Sequence, residues 1–344
     1  MKVHVMDLKP GDRLLADTFN KVGLHVLPQG TMVRTVEIAL LIQHSIDYVD
    51  IENRTVTALR ESATFQQSLL KGNLDSALES YESIFVEALT TGQFTQSMVD
   101  DALKPLLESL DKQRDVVSLL LMLGLEDTTI YNHSLQVGLL SLYLAKWLGF
   151  TGEECMEISR AGYLHDIGKS QVEPSILNKQ ILTPEDQEEL KRHTNYGYEV
   201  ILKSMKDKTT ALVALQHHEF EDGTGYPKGI NHREIHSYTR VVAAANIYVG
   251  LVTSRSYKSK QSLITVLRQV EELGFGKLHA KTVQVLIRNL LPSFIGKNVQ
   301  LSNGEKGIIV MNNPTDLFKP LVKVENQFRD LSKDRKITVD EVFI

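Results

Sequence analysis

The stretch Tyr163-Leu164-His165-Asp166-Ile167-Gly168-Lys169 sets a histidine beside an aspartate where an apolar helical pattern breaks at a glycine, with a lysine directly after. Adjacent residues on a helix point roughly 100° apart, so His165 and Asp166 share a ligand only if it lies between their two directions. A metal ion satisfies that condition. A surface hydrogen bond does too, and for an isolated His-Asp pair it is the commoner outcome. The decision rests on what other ligand-type residues accompany the pair.

Working outward, Thr151 with Glu154 three residues on has the form of a capping box, which predicts a helix from there to the His-Asp pair, ending near Gly168. Before it, Tyr131 to Leu148 carries Val137, Leu140, Leu144 and Leu148 on one stripe, with His133 in its first turn. Downstream, Thr183-Pro184 marks a further helix start, and that helix is expected to carry His193. Thr209 to His218 reads as a short helix ending in His217-His218-Glu219. After a glycine-rich loop, Arg240 to Thr253 reads as a buried helix with Asn246 inside it, and Ser262 to Leu291 is helical.

The ends differ in pattern. Up to about Asn53, short apolar runs flank turn signals at Lys9-Pro10-Gly11-Asp12 and Pro28-Gln29-Gly30. From Ile295, Val299-Gln-Leu, the turn Asn303-Gly304, Gly307-Ile-Ile-Val and Leu321-Val-Lys-Val suggest strands. The expected architecture is mainly α: a helical bundle with a small N-terminal mixed α/β module and a short C-terminal β appendage. The expected division is a strand-rich regulatory or docking module at 1–54, a helical connector at 55–125, the histidine-bearing domain at 126–292 and the appendage at 293–344. The connector should divide at Lys71-Gly72-Asn73 and at Thr91-Gly92. Its stripe of Leu103, Leu106, Leu107 and Leu110 either packs on its own domain or forms a homodimer interface.

The 344 residues are 42% hydrophobic and 24% charged, the balance of an ordinary globular protein. A net charge of -5 excludes a broad electropositive footprint for nucleic acid or an anionic membrane. A small phosphorylated ligand stays open, because it needs only a few local cations. The single cysteine, Cys155, excludes an intramolecular disulfide and fits a reducing compartment. Its neighbours Glu153, Glu154 and Glu157 disfavour a thiolate. The N-terminus lacks the apolar core of a signal peptide, and no run approaches the roughly 20 apolar residues of a membrane span. The expected location is cytoplasmic.

His133, His165, Asp166, His193, His217 and His218 all fall at helix ends or on helices that would pack together. Mixed imidazole and carboxylate ligands suit iron, manganese or zinc. Two such ions side by side can activate water and clamp the oxygens of a phosphodiester during in-line displacement. The pattern therefore points to phosphoester hydrolysis.

The order of these residues, followed by His217-His218-Glu219-Phe-Glu-Asp222-Gly223-Thr-Gly225-Tyr226-Pro227, resembles the HD-GYP family, a branch of the HD phosphohydrolase superfamily. The resemblance covers roughly Tyr131 to Lys258. It implies a helical bundle around a centre of two or three metal ions, usually iron or manganese, and hydrolysis of cyclic di-GMP to pGpG or GMP. Carried over by position, it implies His133, His165, Asp166, His193, His217, His218 and Asn246 as metal ligands, with Asp166 and Lys169 catalytic. Lys169 would stand beside the scissile phosphate. Tyr226, Arg255 and Lys258 would touch substrate, and the loop of Gly223, Gly225, Tyr226 and Pro227 would approach the ligand or a signalling partner. Two departures stand out. Asn246 replaces the family aspartate, and Val249 replaces the next one. Thr129 stands where trinuclear members carry a glutamate, so two divalent ions are expected rather than three. The alternative implied by Asn246 is a module that binds a cyclic dinucleotide or a partner protein without turnover.

Overall fold

The computed structural model describes residues 1–21, 23–52, 54–110, 129–179, 181–253, 263–334 and 336–343, with the side chains of 54–67 outside the described set. Contacts group the chain into two compact units, Met1–Lys71 and Gly72–Ile344. Among the described residues no helix is long and apolar enough to cross a membrane.

In the first unit, β1 (Lys2–His4) pairs antiparallel with β4 (Tyr48–Asp50), and β2 (Thr18–Phe19) with β3 (His25–Leu27). Helix α1 (Thr35–Gln43) joins them over a core of Val3, Val5, Leu14, Val33, Leu41, Val49 and Ile51. The turn at Lys9 to Asp12 forms as its sequence predicts: Gly11 takes a φ of +101° and the Lys9 amide donates to Asp12 Oδ2 at 2.8 Å.

Helix α2 runs unbroken from Arg54 to Thr91, so the expected break at Lys71-Gly72-Asn73 does not occur. A glycine in a helix interior costs only about 1 kcal/mol, and propagation through good helix formers on both sides outweighs it. The second expected division is real. The helix stops at Thr91, and Gly92 follows with a φ of +72°. Helix α3 (Gln96–Ser109) buries Leu103, Leu106 and Leu107, and Leu110 behind them, within this chain.

The rest of the second unit is organised by α4 (Ile130–Leu148) and α5 (Gly152–Leu164). Thr129 caps α4 by accepting from the Asn132 amide. Thr151 and Glu154 form the expected capping box on α5. The two helices cross where Gly138 meets Gly162. A Cβ on Gly162 would lie 2.9 Å from Ser141 Oγ and 3.1 Å from Gly138 Cα, so small residues set the helix separation here. Beyond follow α6 (Pro174–Leu177), α7 (Pro184–Lys191), α8 (His193–Met205), α9 (Lys208–Gln216) and α10 (Ser237–Thr253), the last packed on α4.

The C-terminal region has α11 (Leu263–Leu273) and α12 (Ala280–Leu290), then a five-stranded antiparallel sheet in the order β8-β7-β6-β5-β9. Its strands are β5 (Asn298–Leu301), β6 (Lys306–Met311), β7 (Leu321–Val324), β8 (Gln327–Asp330) and β9 (Val339–Phe343). Val299, Ile309, Val322 and Val342 form its buried face, and β9 packs against α11. The mainly helical bundle with a small N-terminal module and a C-terminal β appendage is thus the architecture observed.

Candidate metal centre

Three of the histidines stand directly at helix ends. His165 caps α5, His193 follows α7 by two residues and His217 caps α9. The last carbonyls of a helix lack intrahelical partners, and each ring uses one. Nδ1 of His165 donates to Gly162 O at 2.7 Å, that of His193 to Leu190 O at 2.6 Å and that of His217 to Ala214 O at 2.9 Å. A carbonyl only accepts, so Nδ1 of each ring carries a proton, and each Nε2 is left to face the centre.

All three Nε2 atoms aim at one carboxylate. Asp166 Oδ2 lies 3.3 Å from His165 Nε2 and 3.9 Å from His133 Nε2, while Oδ1 lies 3.3 Å from His193 Nε2 and 3.6 Å from His217 Nε2. An imidazole Nε2 and a carboxylate oxygen can both coordinate one cation lying between them. Two atoms each about 2.1 Å from a common ion are separated by about 3 Å, close to the spacing seen. Asp166 Oδ1 and His165 Nε2 are moreover buried without a hydrogen-bond partner, a costly arrangement that a cation would satisfy.

The donors fall into two groups, Asp166 with His193, His217 and His218, and Asp166 with His133 and His165. Asp166 belongs to both, one oxygen toward each. Asn246, buried on α10, holds its Oδ1 2.9 Å from His133 Nε2 and so stands beside the second group. An amide oxygen is a usable ligand but adds no charge. The residues present fit the binding of divalent metal.

Electrostatics agree. Burial pushes His133 down to about 4 and His217 down to about 3. His218 is also lowered by burial, with His217 and His193 adding to it. These rings are neutral, as ligands must be. Burial works to raise Asp166, but the Lys169 ammonium beside it outweighs burial and holds the carboxyl well below its usual range. Lys169 Nζ lies 2.6 Å from Asp166 Oδ2.

Local structure departs from expectation at two helix ends. The helix from Thr151 stops at Leu164, and Ile167–Gln171 continues as a 3-10 turn. Gly168 is there for close approach, since a Cβ would lie 1.9 Å from His193 O and 2.3 Å from Gly197 N. His193 does not ride on the helix that starts at Thr183. That helix ends at Lys191, and the break at Arg192 frees the His193 ring to reach the Leu190 carbonyl.

In the loop, Gly225 also permits close approach, its Cβ position being 2.4 Å from both His218 O and Phe220 N. Gly223 has a φ of +78°, and Pro227 follows a cis peptide bond. Tyr226 stacks on His218, with centroids 4.5 Å apart and planes 19° from parallel. Sequence reasoning assigned no role to Glu219. It is buried, and its carboxylate accepts from the Lys228 and Ile230 amides at 2.7 and 3.1 Å, clamping the loop's far end. Only its place beside His217 and His218 hinted at this. Arg255 and Lys258 lie outside the described residues, as do Glu126 and Asp127.

The second half of α2 is fastened to this layer, which the sequence did not reveal. Tyr163 Oη donates to Ala77 O at 2.6 Å, Gln171 Nε2 to Ala88 O at 2.5 Å and Ser134 Oγ to Tyr81 Oη at 3.0 Å. A cleft of about 1050 Å³ opens beside the centre, and His133, Lys169, Phe85, Leu89 and Tyr131 are among the residues that line it.

Comparison with known proteins agrees with this geometry. An HD domain family model matches residues 117–273. The chain is 38% identical over 173 residues to a cyclic di-GMP phosphodiesterase of Thermotoga maritima, a match spanning 49% of this chain and 47% of that protein. It is 28% identical over 244 residues to the cyclic di-GMP phosphodiesterase PA4108 of Pseudomonas aeruginosa, covering 70% of this chain and 59% of the relative. It is 34% identical over 141 residues to the 3'3'-cGAMP-specific phosphodiesterase 3 of Vibrio cholerae, covering 41% and 31%. The chain thus spans about half the length of the curated relatives it matches. Among solved structures, Bd1817, an HDG"Y"P protein from Bdellovibrio bacteriovorus, shares the fold with a TM-score of 0.52 at 18% identity, over 83% of this chain and 97% of its own.

Proposed function

Because the chain belongs to the HD-GYP family through the HD domain at residues 117–273, we propose that it hydrolyses the phosphodiester bonds of cyclic di-GMP to pGpG or GMP. The observation that carries this reading is the single carboxylate of Asp166 shared by two groups of imidazoles, with Lys169 beside it. We assign His133, His165, Asp166 and Asn246 to one ion, and Asp166, His193, His217 and His218 to the other, iron or manganese in both cases. When bound, such a pair of ions lowers the pKa of water and clamps phosphoryl oxygens.

The chain's own residues supply the rest. The Gly162, Leu190 and Ala214 carbonyls fix three ring tautomers and orientations before any ligand arrives, so no reorganisation is spent on them. Lys169 lines the cleft with its ammonium, which would stabilise charge growing on the phosphate and donate a proton to the leaving ribose oxygen. Glu219 and the two close-packed glycines hold Tyr226 over His218, closing the centre on the loop side. Tyr226, Arg255 and Lys258 are proposed substrate contacts.

Incubating cyclic di-GMP with the manganese- or iron-loaded protein under reducing conditions tests the reading. Product should appear at a rate well above that of His165→Ala and Asp166→Ala controls, and equal rates would sink it. The hydrogen bond between His133 and Asn246 favours a second reading, a module that binds cyclic dinucleotide without turnover. It expects binding without product, and strong activity regained in Asn246→Asp would argue for a weakened active site instead. The proposed setting is a cytoplasmic signalling protein. The 1–54 module would read a signal or dock a partner, the 293–344 appendage would be accessory, and the loop of Tyr226 would be open to a partner protein. A homodimer through the 55–125 connector would have to use surface other than the buried leucine stripe.

A further inference from the structure

The cleft beside the centre is larger and more apolar than phosphate chemistry requires. Its lining includes His133 and Lys169. The one other lysine in its described lining, Lys179, is already paired with Asp186 at 2.5 Å. Part of its lining comes from α2 and the start of α4. There the Phe85 and Tyr131 rings pack with centroids 5.5 Å apart and planes at 65°, and Leu89 stands beside them, 45% exposed. Phe85 is buried as the backing ring, whereas Tyr131 is only half-buried and offers ring surface to the cleft. Tyr131 sits two residues before His133, so the helix start that delivers a ligand to the centre also sets the distance from that ligand to the aromatic wall.

Phe85 and Leu89 lie outside the segment matched by the HD domain model. Tyr81 is their anchor: its ring stands 6.1 Å from Tyr131 and 4.8 Å from Tyr163, and its hydroxyl pairs with Ser134. The wall is therefore a rigid feature of α2 packed on α4 and α5.

We propose that the wall of Tyr131, Phe85 and Leu89 is the nucleobase subsite of this chain and sets its preference for a purine over a pyrimidine cyclic dinucleotide. The inference rests on the phosphodiesterase reading above. Contacts to phosphate treat all cyclic dinucleotides alike, because the sugar-phosphate ring is common to them. Discrimination must come from a surface that senses the area of the base, and stacking on an aromatic wall does so.

The test compares the full-length manganese-loaded protein with Tyr131→Leu and Leu89→Ser. Tyr131→Leu keeps apolar bulk behind α4, and Leu89→Ser changes an exposed position, so both should fold; melting curves and metal content verify it. Cyclic di-GMP and cyclic di-UMP serve as substrates and as ligands in calorimetry. The wild type should favour cyclic di-GMP, and Tyr131→Leu should raise its KM about tenfold, with a much smaller change in kcat and a reduced purine preference. Leu89→Ser should move both quantities in the same direction by less. If the wild type turns over cyclic di-GMP but both variants keep its KM and base preference, the subsite assignment is wrong while the phosphodiesterase reading stands. If the metal-loaded wild type neither binds nor cleaves either dinucleotide, the parent reading fails and the subsite falls with it.

Discussion

Lys169 Nζ and Asp166 Oδ2 stand 2.6 Å apart, one turn of 3-10 helix between them, so the charge proposed to act on the phosphate is held by the carboxylate proposed to bridge the ions. Removing the ammonium should leave the ligands in place and take away the proton donor. Lys169→Met should lower turnover of cyclic di-GMP by about 10²- to 10⁴-fold while metal content stays at the wild-type level. Steady-state kinetics alongside elemental analysis check both halves.

Asp166 is common to both ligand groups, whereas His193 belongs to one. Asp166→Ala should therefore lose both ions, and His193→Ala should lose one and retain the other. Metal counting on anaerobically purified protein distinguishes these outcomes. Equal losses in the two variants would contradict the bridging assignment.

Asn246 contributes no charge to the His133 side. Replacing Asn246 with Asp should tighten the weaker of two metal-binding steps by at least about tenfold and leave the tighter step unchanged, as calorimetric titration with manganese would show.

The metal-free protein should lose stability as pH falls below about 6.5. Burial depresses His133 to about 4 and His217 to about 3, so between these values and the unfolded value the unfolded chain binds protons that the folded chain does not. Stability is full above the unfolded pKa and declines until the folded values are reached. Urea unfolding at pH 7 and pH 4.5 measures it, and His133→Gln should flatten the slope.

Gly168 faces the His193 carbonyl at a distance no side chain fits. Gly168→Ala should push α8 from the 3-10 turn, costing about 1–3 kcal/mol or more, and displace His193 from Asp166. A melting temperature lower by several degrees together with a weakened metal site is the expected pair of effects. Either alone would mean that the contact does not position the ligand.

Much of the bundle was legible because its signals are local. The Thr151-Glu154 box, the Thr183 start and the stripe from Val137 to Leu148 each report on a single helix, and each of those helices formed. The misjudged ends were decided by contacts between helices. Gly168 read as a stop signal, but its conformation is set by α8 passing over it, and the break at Arg192 matters because it points the His193 ring at a carbonyl. Gly72 also read as a breaker, yet the helix around it continued. Glu219 carries its role in hydrogen bonds to amides nine and eleven residues away, a distance at which sequence spacing says nothing about geometry.

By itself, the sequence determined which chemistry was available: histidines placed at helix ends, an aspartate beside one of them and a lysine one turn on, because helix periodicity and capping act over a few residues. The tertiary structure alone decided how those groups are shared. His133 and Asn246 meet across 113 positions, Asp166 turns one oxygen to each set of imidazoles, and α2 supplies a cleft wall. Those relations depend on how closely helices approach, which is set where Gly138 meets Gly162 and Gly168 meets Gly197, and no single stretch of chain encodes that distance.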